Sequence, residues 1–216
     1  MATGAASIES HHTLPYRQYA AVWCGKMKNA RVLLERKDWI EAAIDELGVS
    51  GFRGLAVEPL ARRLHISKGS FYWHFKDLPE VVAAVLEYWK ERGYTRVIAQ
   101  LSTMPDPRQR LVALLQTAWG KPGYLRAEAA LVSAALAGNN QVGPVVEEVT
   151  TGRLDYLRGA YVELGLSLSE AEKWTLTAYS AYVGLVQLVA LRAGRLTTEA
   201  EIRALATHLE RILIPA

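Results

Sequence analysis

The stretch Arg62–Asp77, RRLHISKGSFYWHFKD, decides how the rest of the chain is read. Phe71, Tyr72, Trp73 and Phe75 crowd together there, beside Lys68, His74 and Lys76. Ser67 is a good N-cap for a helix beginning at Lys68. At helical spacing, Gly69, Tyr72, Trp73 and Lys76 share one face, while Phe71, Phe75 and Leu78 share the opposite one. The second face is apolar and is expected to pack on Ile44, Leu60 and Leu64. The first combines a cation, hydrogen-bonding rings and a glycine that lets another backbone come close. That stripe suits a sugar-phosphate backbone and thymine methyl groups, and the open N–H groups at a helix start suit phosphate. The competing reading has Tyr72 and Trp73 covering a junction between head and body, because aromatic stripes are commonly core.

Working outward, apolar residues recur at helical spacing and strand-like alternation is absent, so the fold is expected to be all-α. Trp39, Ile40, Ala43, Ile44 and Leu47 line one face of a helix predicted to stop at Gly48. Val57–Leu64 is a second helix, joined to the Lys68 helix by His65-Ile66-Ser67; together they describe a helix-turn-helix in a three-helix head. Across residues 50–76, Arg53, Arg62, Arg63, Lys68 and Lys76 face Glu58 alone, on a chain whose net charge is only +3. A local basic patch of this kind points one end of the molecule at a polyanion. Asp77, with Pro79 in the first turn and Glu80 at N3, reads as a capping box. It opens a long helix through Gln100, with Leu78, Val81, Val82, Val85 and Trp89 on one side.

Two prolines in Thr103–Gln109 mark a boundary. Helices are then predicted at Arg108–Trp119, Gly123–Ala137 and Val142–Leu164, the last interrupted around Gly152. Ser169 with Glu172 reads as a capping box for a helix reaching about Ala193. Thr198 with Glu201 opens a final helix with Ile202, Leu205, Leu209, Ile212 and Leu213 inward. The expected organisation is an N-terminal extension over 1–35, a DNA-binding head over 36–82 and a helical body over 83–216.

The chain has 216 residues, half of them apolar and 22% charged, which is enough to bury a real core. Cys24 is its one cysteine, which excludes an internal disulfide and fits a reducing cytoplasm. No signal peptide is visible, and the most apolar run, Ala178–Leu191, is too short to cross a bilayer. His11, His12 and Cys24 match no metal-site spacing. Glycine-rich phosphate loops, H-E-x-x-H and G-x-S-x-G are absent, so no catalytic residue, cofactor or metal is expected. Residues 1–35 stay open between an extra helix, with Tyr16, Tyr19, Ala20, Trp23, Met27, Ala30 and Leu34 at helical spacing, and a basic arm bearing Arg17, Lys26, Lys28 and Arg31. A start of translation at Met27 is the third reading.

Ala42–Trp89, and above all S-K-G-S-F-Y-W-H-F-K-D, resembles the DNA-binding head of the TetR (tetracycline-repressor-type) regulators. The body resembles that family only in the number, order and length of its helices. The resemblance implies that Lys68 and Ser70 read base edges, that Tyr72, Trp73, His74 and Lys76 meet phosphates or thymine methyls, and that Phe71 and Phe75 hold the helix to the head. Arg36 and Lys37 would touch phosphate, with Ser67 and Gly69 at the start of the recognition helix completing the DNA-facing set. Three residues depart from the family pattern. Ala56 stands where a capping Thr is usual, His65 where the turn usually has Gly, and Leu78 where a phosphate-binding Lys is frequent.

The same resemblance implies a body that dimerises and binds a small molecule. Trp174–Leu191 supports dimerisation independently, being apolar nearly all round, with Ala178, Ala181 and Gly184 small enough for close approach. Two copies of the last two helices would form a four-helix bundle and present two recognition helices to a pseudo-palindromic operator in double-stranded DNA. Trp119, Tyr124, Trp174, Tyr179 and Tyr182 are the candidate pocket residues, for an unidentified, apolar effector; core or dimer contacts are the competing reading for each. The expected function is a homodimeric repressor released by that effector. The alternative is a helical adaptor that keeps the head without ligand control.

Overall fold

The computed structural model describes residues 34–118, 121–192 and 196–215, and among these it is all-α. The readings made for residues 1–33 and for Trp119 lie outside the described residues. The head comprises α1 (Arg36–Ser50), a short 3-10 turn, α2 (Val57–Arg63) and α3 (Lys68–Phe71). α4 (Leu78–Lys90) leaves the head, passes through a π-helical turn at Glu91–Thr95, and continues as α5 (Arg96–Leu101). The body follows as α6 (Pro107–Ala118), α7 (Pro122–Leu136), α8 (Gly143–Glu163), α9 (Leu168–Ala190) and α10 (Glu199–Leu213).

Several helix ends differ from their sequence reading, each for a local reason. α1 runs past Gly48 and ends at Gly51, which takes the left-handed φ of 68° and returns its N–H to the Leu47 carbonyl. Gly48 serves packing instead: a Cβ there would lie 2.7 Å from the Gly123 carbonyl oxygen, so its absence lets α1 lie close on α7. The capping box of α9 is built by Ser167 and Glu170, not Ser169 and Glu172. Thr198 and Glu201 cap α10 reciprocally, as their spacing predicts. At α4, Asp77 Oδ1 accepts from the Glu80 N–H at 3.0 Å, but the Glu80 carboxylate goes to the Lys76 N–H and to Arg36 instead of closing the box. α8 runs uninterrupted through Gly152.

Two apolar clusters hold these elements. One joins the head to α4, α7 and the first half of α8, through Trp39, Leu47, Phe71, Phe75, Val81, Trp89, Leu131 and Val149. The other, around Leu111, Leu125, Tyr161, Tyr182, Leu185 and Ile202, fills the space between α6, α7, α8, α9 and α10. The α10 residues Leu205 and Leu209 pack against this second cluster, but Ile212 is exposed, contrary to the inward face read from spacing. No helix among the described residues is long and apolar enough to cross a membrane.

Candidate DNA-facing surface and body cavity

The turn between α2 and α3 is a Schellman-type helix end. Ile66 N–H reaches the Ala61 carbonyl, and His65 N–H reaches that of Arg62, at 3.0 and 3.2 Å. That geometry needs a left-handed residue between them, and His65 supplies it at φ 57°. α8 uses Gly165 for the same purpose. Ala56 occupies the N-cap of α2 with no side-chain hydrogen bond. Ser67 stands at the N-cap of α3, but its side chain makes no cap bond either; only its carbonyl is engaged, by the Ser70 N–H.

α3 is a single turn followed by tighter turns, yet it divides the aromatics as the helical spacing predicts. Phe71 and Phe75 are buried, with Phe71 edge-on to Trp39 at 5.3 Å. Tyr72 is 67% and Trp73 88% exposed, so neither ring covers a junction. Ser67, Lys68, Gly69 and Lys76 are exposed beside them, and Ser70 and His74 are half-buried. Lys68 Nζ sits 2.7 Å from Glu58 on α2, and this pairing holds the Glu58 carboxyl below its ordinary value. Arg36 is engaged inside the head: Nη1 donates to the His74 carbonyl and to Glu80, each at 2.8 Å, and its guanidinium lies 4.2 Å over the Phe75 ring. Lys37 is exposed and faces Glu41.

A cavity of about 110 Å³ lies in the body where the π turn, α5, α6, α7, α8 and α9 meet. Tyr124, Tyr179 and Tyr182 line it; Trp174 does not, and packs on Tyr161 instead. The spacing-based list missed the lining residues Gly93, Tyr94, Val97, Ile98, Arg153 and Tyr156. It also missed a buried charge pair, Arg153 in the wall and Glu128 behind it. Glu128 on α7 accepts from Arg153 Nη1 at 2.6 Å, Tyr182 Oη at 2.8 Å and Trp89 Nε1 at 3.2 Å. One carboxylate thus collects donors from α4, α8 and α9. Burial acts against the Arg153 charge, but Tyr182 and Glu128 outweigh it and hold its pKa well above the ordinary value. Burial, then the Glu128 charge, push the Tyr182 hydroxyl well up. The sequence does carry one sign of the pair: Glu128 is the sole charge in the apolar run Ala127–Ala137.

Arg153 Nη2 also donates to the Gly93 carbonyl at 3.1 Å, inside the π turn. A Cβ on Gly93 would lie 2.6 Å from the Tyr124 hydroxyl, and one on Gly152 would lie 2.2 Å from that of Tyr94. Both glycines exist so that rings and guanidinium can close around the turn. π turns carry an extra residue and commonly mark functional positions.

The profile of the "Bacterial regulatory proteins, tetR family" matches residues 40–85, the head and the start of α4. An "Uncharacterized HTH-type transcriptional regulator YuxN" of Bacillus subtilis (strain 168) is 28% identical over 69 residues. That match spans 32% of this chain and 24% of the relative. Among solved structures, AibR in complex with isovaleryl coenzyme A and operator DNA aligns with a TM-score of 0.62 at 18% identity, over 84% of this chain and 99% of its own. A transcriptional regulator from Saccharomonospora viridis in complex with choline aligns with a TM-score of 0.65 at 18% identity, over 82% and 95%. At such identities the likeness concerns the fold, and the head carries the assignment. Residues 40–85 therefore form a head of the type found in the tetR family of bacterial regulatory proteins.

Proposed function

We propose that this DNA-binding regulator is a homodimeric repressor that leaves its operator when a small molecule occupies the body cavity. The observation that carries the reading is the division of one short segment: Phe71 and Phe75 buried, Tyr72 and Trp73 bare beside Lys68 and Lys76. Exposing two large rings costs solvation free energy that a folded monomer normally avoids. Against a duplex, the same rings and cations meet sugar, phosphate and thymine methyl. Lys37, Ser67, Gly69, Ser70 and His74 complete the surface, and Arg36 positions it by tying α1 to the His74 carbonyl and Glu80.

Support for the dimer comes from α9 and α10, where Leu176, Val183, Leu188 and Ile212 are exposed beside the small Ser180 and Gly184. A two-fold pairing of these faces would bury them and set two recognition segments about 34–36 Å apart, or a multiple of it, along DNA. For release, the π turn is the coupling element. It lines the cavity, and α4 enters it directly from the head. An occupant pressing on Gly93 and Tyr94 changes the direction of α4, and the two heads no longer fit their half-sites together. A similar fold described with an acyl-coenzyme A and operator DNA, and another with choline, agree with a body that takes small ligands.

The test is selection of bound duplex from a random pool with the purified full chain, followed by release with a small-molecule panel. A pseudo-palindromic consensus with compound-dependent release is the expected result. If no sequence is enriched, the DNA reading fails; if enrichment comes without stabilisation or release by any compound, the adaptor alternative replaces ligand control.

A further inference from the structure

Two arginines line the cavity, and they differ in kind. Arg92 is exposed and donates from Nη1 to the Tyr88 hydroxyl at 2.8 Å. The Arg153 side chain is only 14% exposed and closes the inner wall. Its guanidinium bonds the two Glu128 oxygens and the Gly93 carbonyl, and has more N–H groups than these bonds employ. Two N–H groups are left over, on a residue that lines the cavity. Glu128 balances the Arg153 charge and is itself filled by Tyr182 and Trp89. An entering carboxylate would therefore add a second buried negative charge with no new buried cation to meet it. A cationic ligand finds no carboxylate among the lining residues to pair with. Val97, Ile98, Leu114 and Leu157 make part of the remaining wall apolar, and Tyr94, Tyr124, Tyr156, Tyr179, Tyr182 and Thr117 line the rest. The size is also restrictive: an engineered cavity of about 150 Å³ is known to hold benzene, and this one is about 110 Å³.

Resting on the reading of this cavity as the effector site, we propose that it selects a compact, uncharged, mostly apolar molecule carrying one acceptor oxygen, a small ketone or similar carbonyl compound, and that Arg153 recognises that oxygen. The same guanidinium holds the Gly93 carbonyl. An acceptor oxygen bound by the leftover N–H groups draws the guanidinium away from that carbonyl and loosens the π turn, so recognition and release share one side chain.

The experiment is titration calorimetry and thermal unfolding of the full chain with three small probes of about the bulk of benzene or less: butanone, 2-methylbut-1-ene, which has the same shape without the oxygen, and propanoate. Butanone is expected to bind roughly tenfold tighter than 2-methylbut-1-ene, as one hydrogen bond to a charged donor implies, and the carboxylate is expected not to bind. In the double variant E128Q/R153M both charges are removed while an acceptor remains for Trp89 and Tyr182. There the ketone preference should shrink to about twofold or less, with the guanidinium donor gone. Preferred binding of the carboxylate, a ketone preference that survives the double variant, or no binding by any probe overturns the proposal. The wild-type ratios decide it if the double variant does not fold. Operator affinity of the unliganded wild type is measured in parallel. If it is intact, a failure strikes only the ligand class; if it is absent, the repressor reading itself falls.

Discussion

At the scale of single residues, His65 shows most directly how one side chain carries a cost. It holds φ 57° in the α2–α3 turn, a conformation that is unfavourable by roughly 1–2 kcal/mol for residues with a Cβ. His65→Gly should therefore stabilise the head by about 0.5–1 kcal/mol after the greater freedom of the unfolded chain is counted, measured by urea unfolding. No gain would mean that the imidazole makes a compensating contribution. On the exposed face, Lys76→Ala should weaken operator binding about equally for all sequences and lower the salt slope by roughly one. Tyr72→Ala should weaken binding with the slope kept. Lys68→Ala should relax base preference instead, since Lys68 must leave Glu58 to reach a base edge. Fluorescence anisotropy across a salt series and a panel of mutated operators reads all three, and unchanged affinities would remove this surface from DNA recognition. His65 was legible from its place in the turn. The missing cap at Ser67 was not, because residue type states what a side chain can do and only the turn's geometry decides whether it does so.

At the scale of elements, the head depends on one buried carboxylate between α1 and α2. Burial alone would raise the Glu46 pKa, but hydrogen bonds from Ser50 at 2.5 Å and Arg63 at 2.7 Å outweigh it and hold it below the ordinary 4.5. A lowered folded pKa adds stability that is fully present above the unfolded value and is lost as pH falls through the folded one. Glu46→Gln should thus cost about 1–2 kcal/mol near neutral pH. The gap to wild type should close as the pH drops below about 4, where the unfolded carboxyl protonates. Denaturant unfolding at several pH values checks this, and a gap that widens on acidification would contradict it. Helix identity and order were readable because apolar period reports the buried face. The π turn was not: an extra residue in a helix disturbs the period too little to see, and the groups bonded at the turn, Arg153 and Tyr124, come from other parts of the chain. The α9 capping box lay two residues upstream of its reading because Ser167 and Ser169 both precede a Glu at N3 spacing, and local pattern does not choose between them.

At the scale of the whole molecule, the proposed dimer would place the exposed α9 stripe at its interface. Val183→Glu should yield a monomer by sedimentation and reduce operator affinity by far more than a change outside the head otherwise would, with the unfolding transition retained. A dimer that survives this change would place the interface elsewhere. By itself the sequence determined the all-α class, the helix-turn-helix, the split of the aromatics in RRLHISKGSFYWHFKD and the unusual turn residue. All of these follow from spacing along one helix or from one residue's conformational range. The tertiary structure alone decided that α1 lies on α7, that Arg36 is engaged within the head, and that Glu128 gathers Trp89, Arg153 and Tyr182 beside a cavity. Those groups come from four helices far apart in the chain. A buried charge is tolerable only where all its partners converge, and convergence is a property of packing that no local period records.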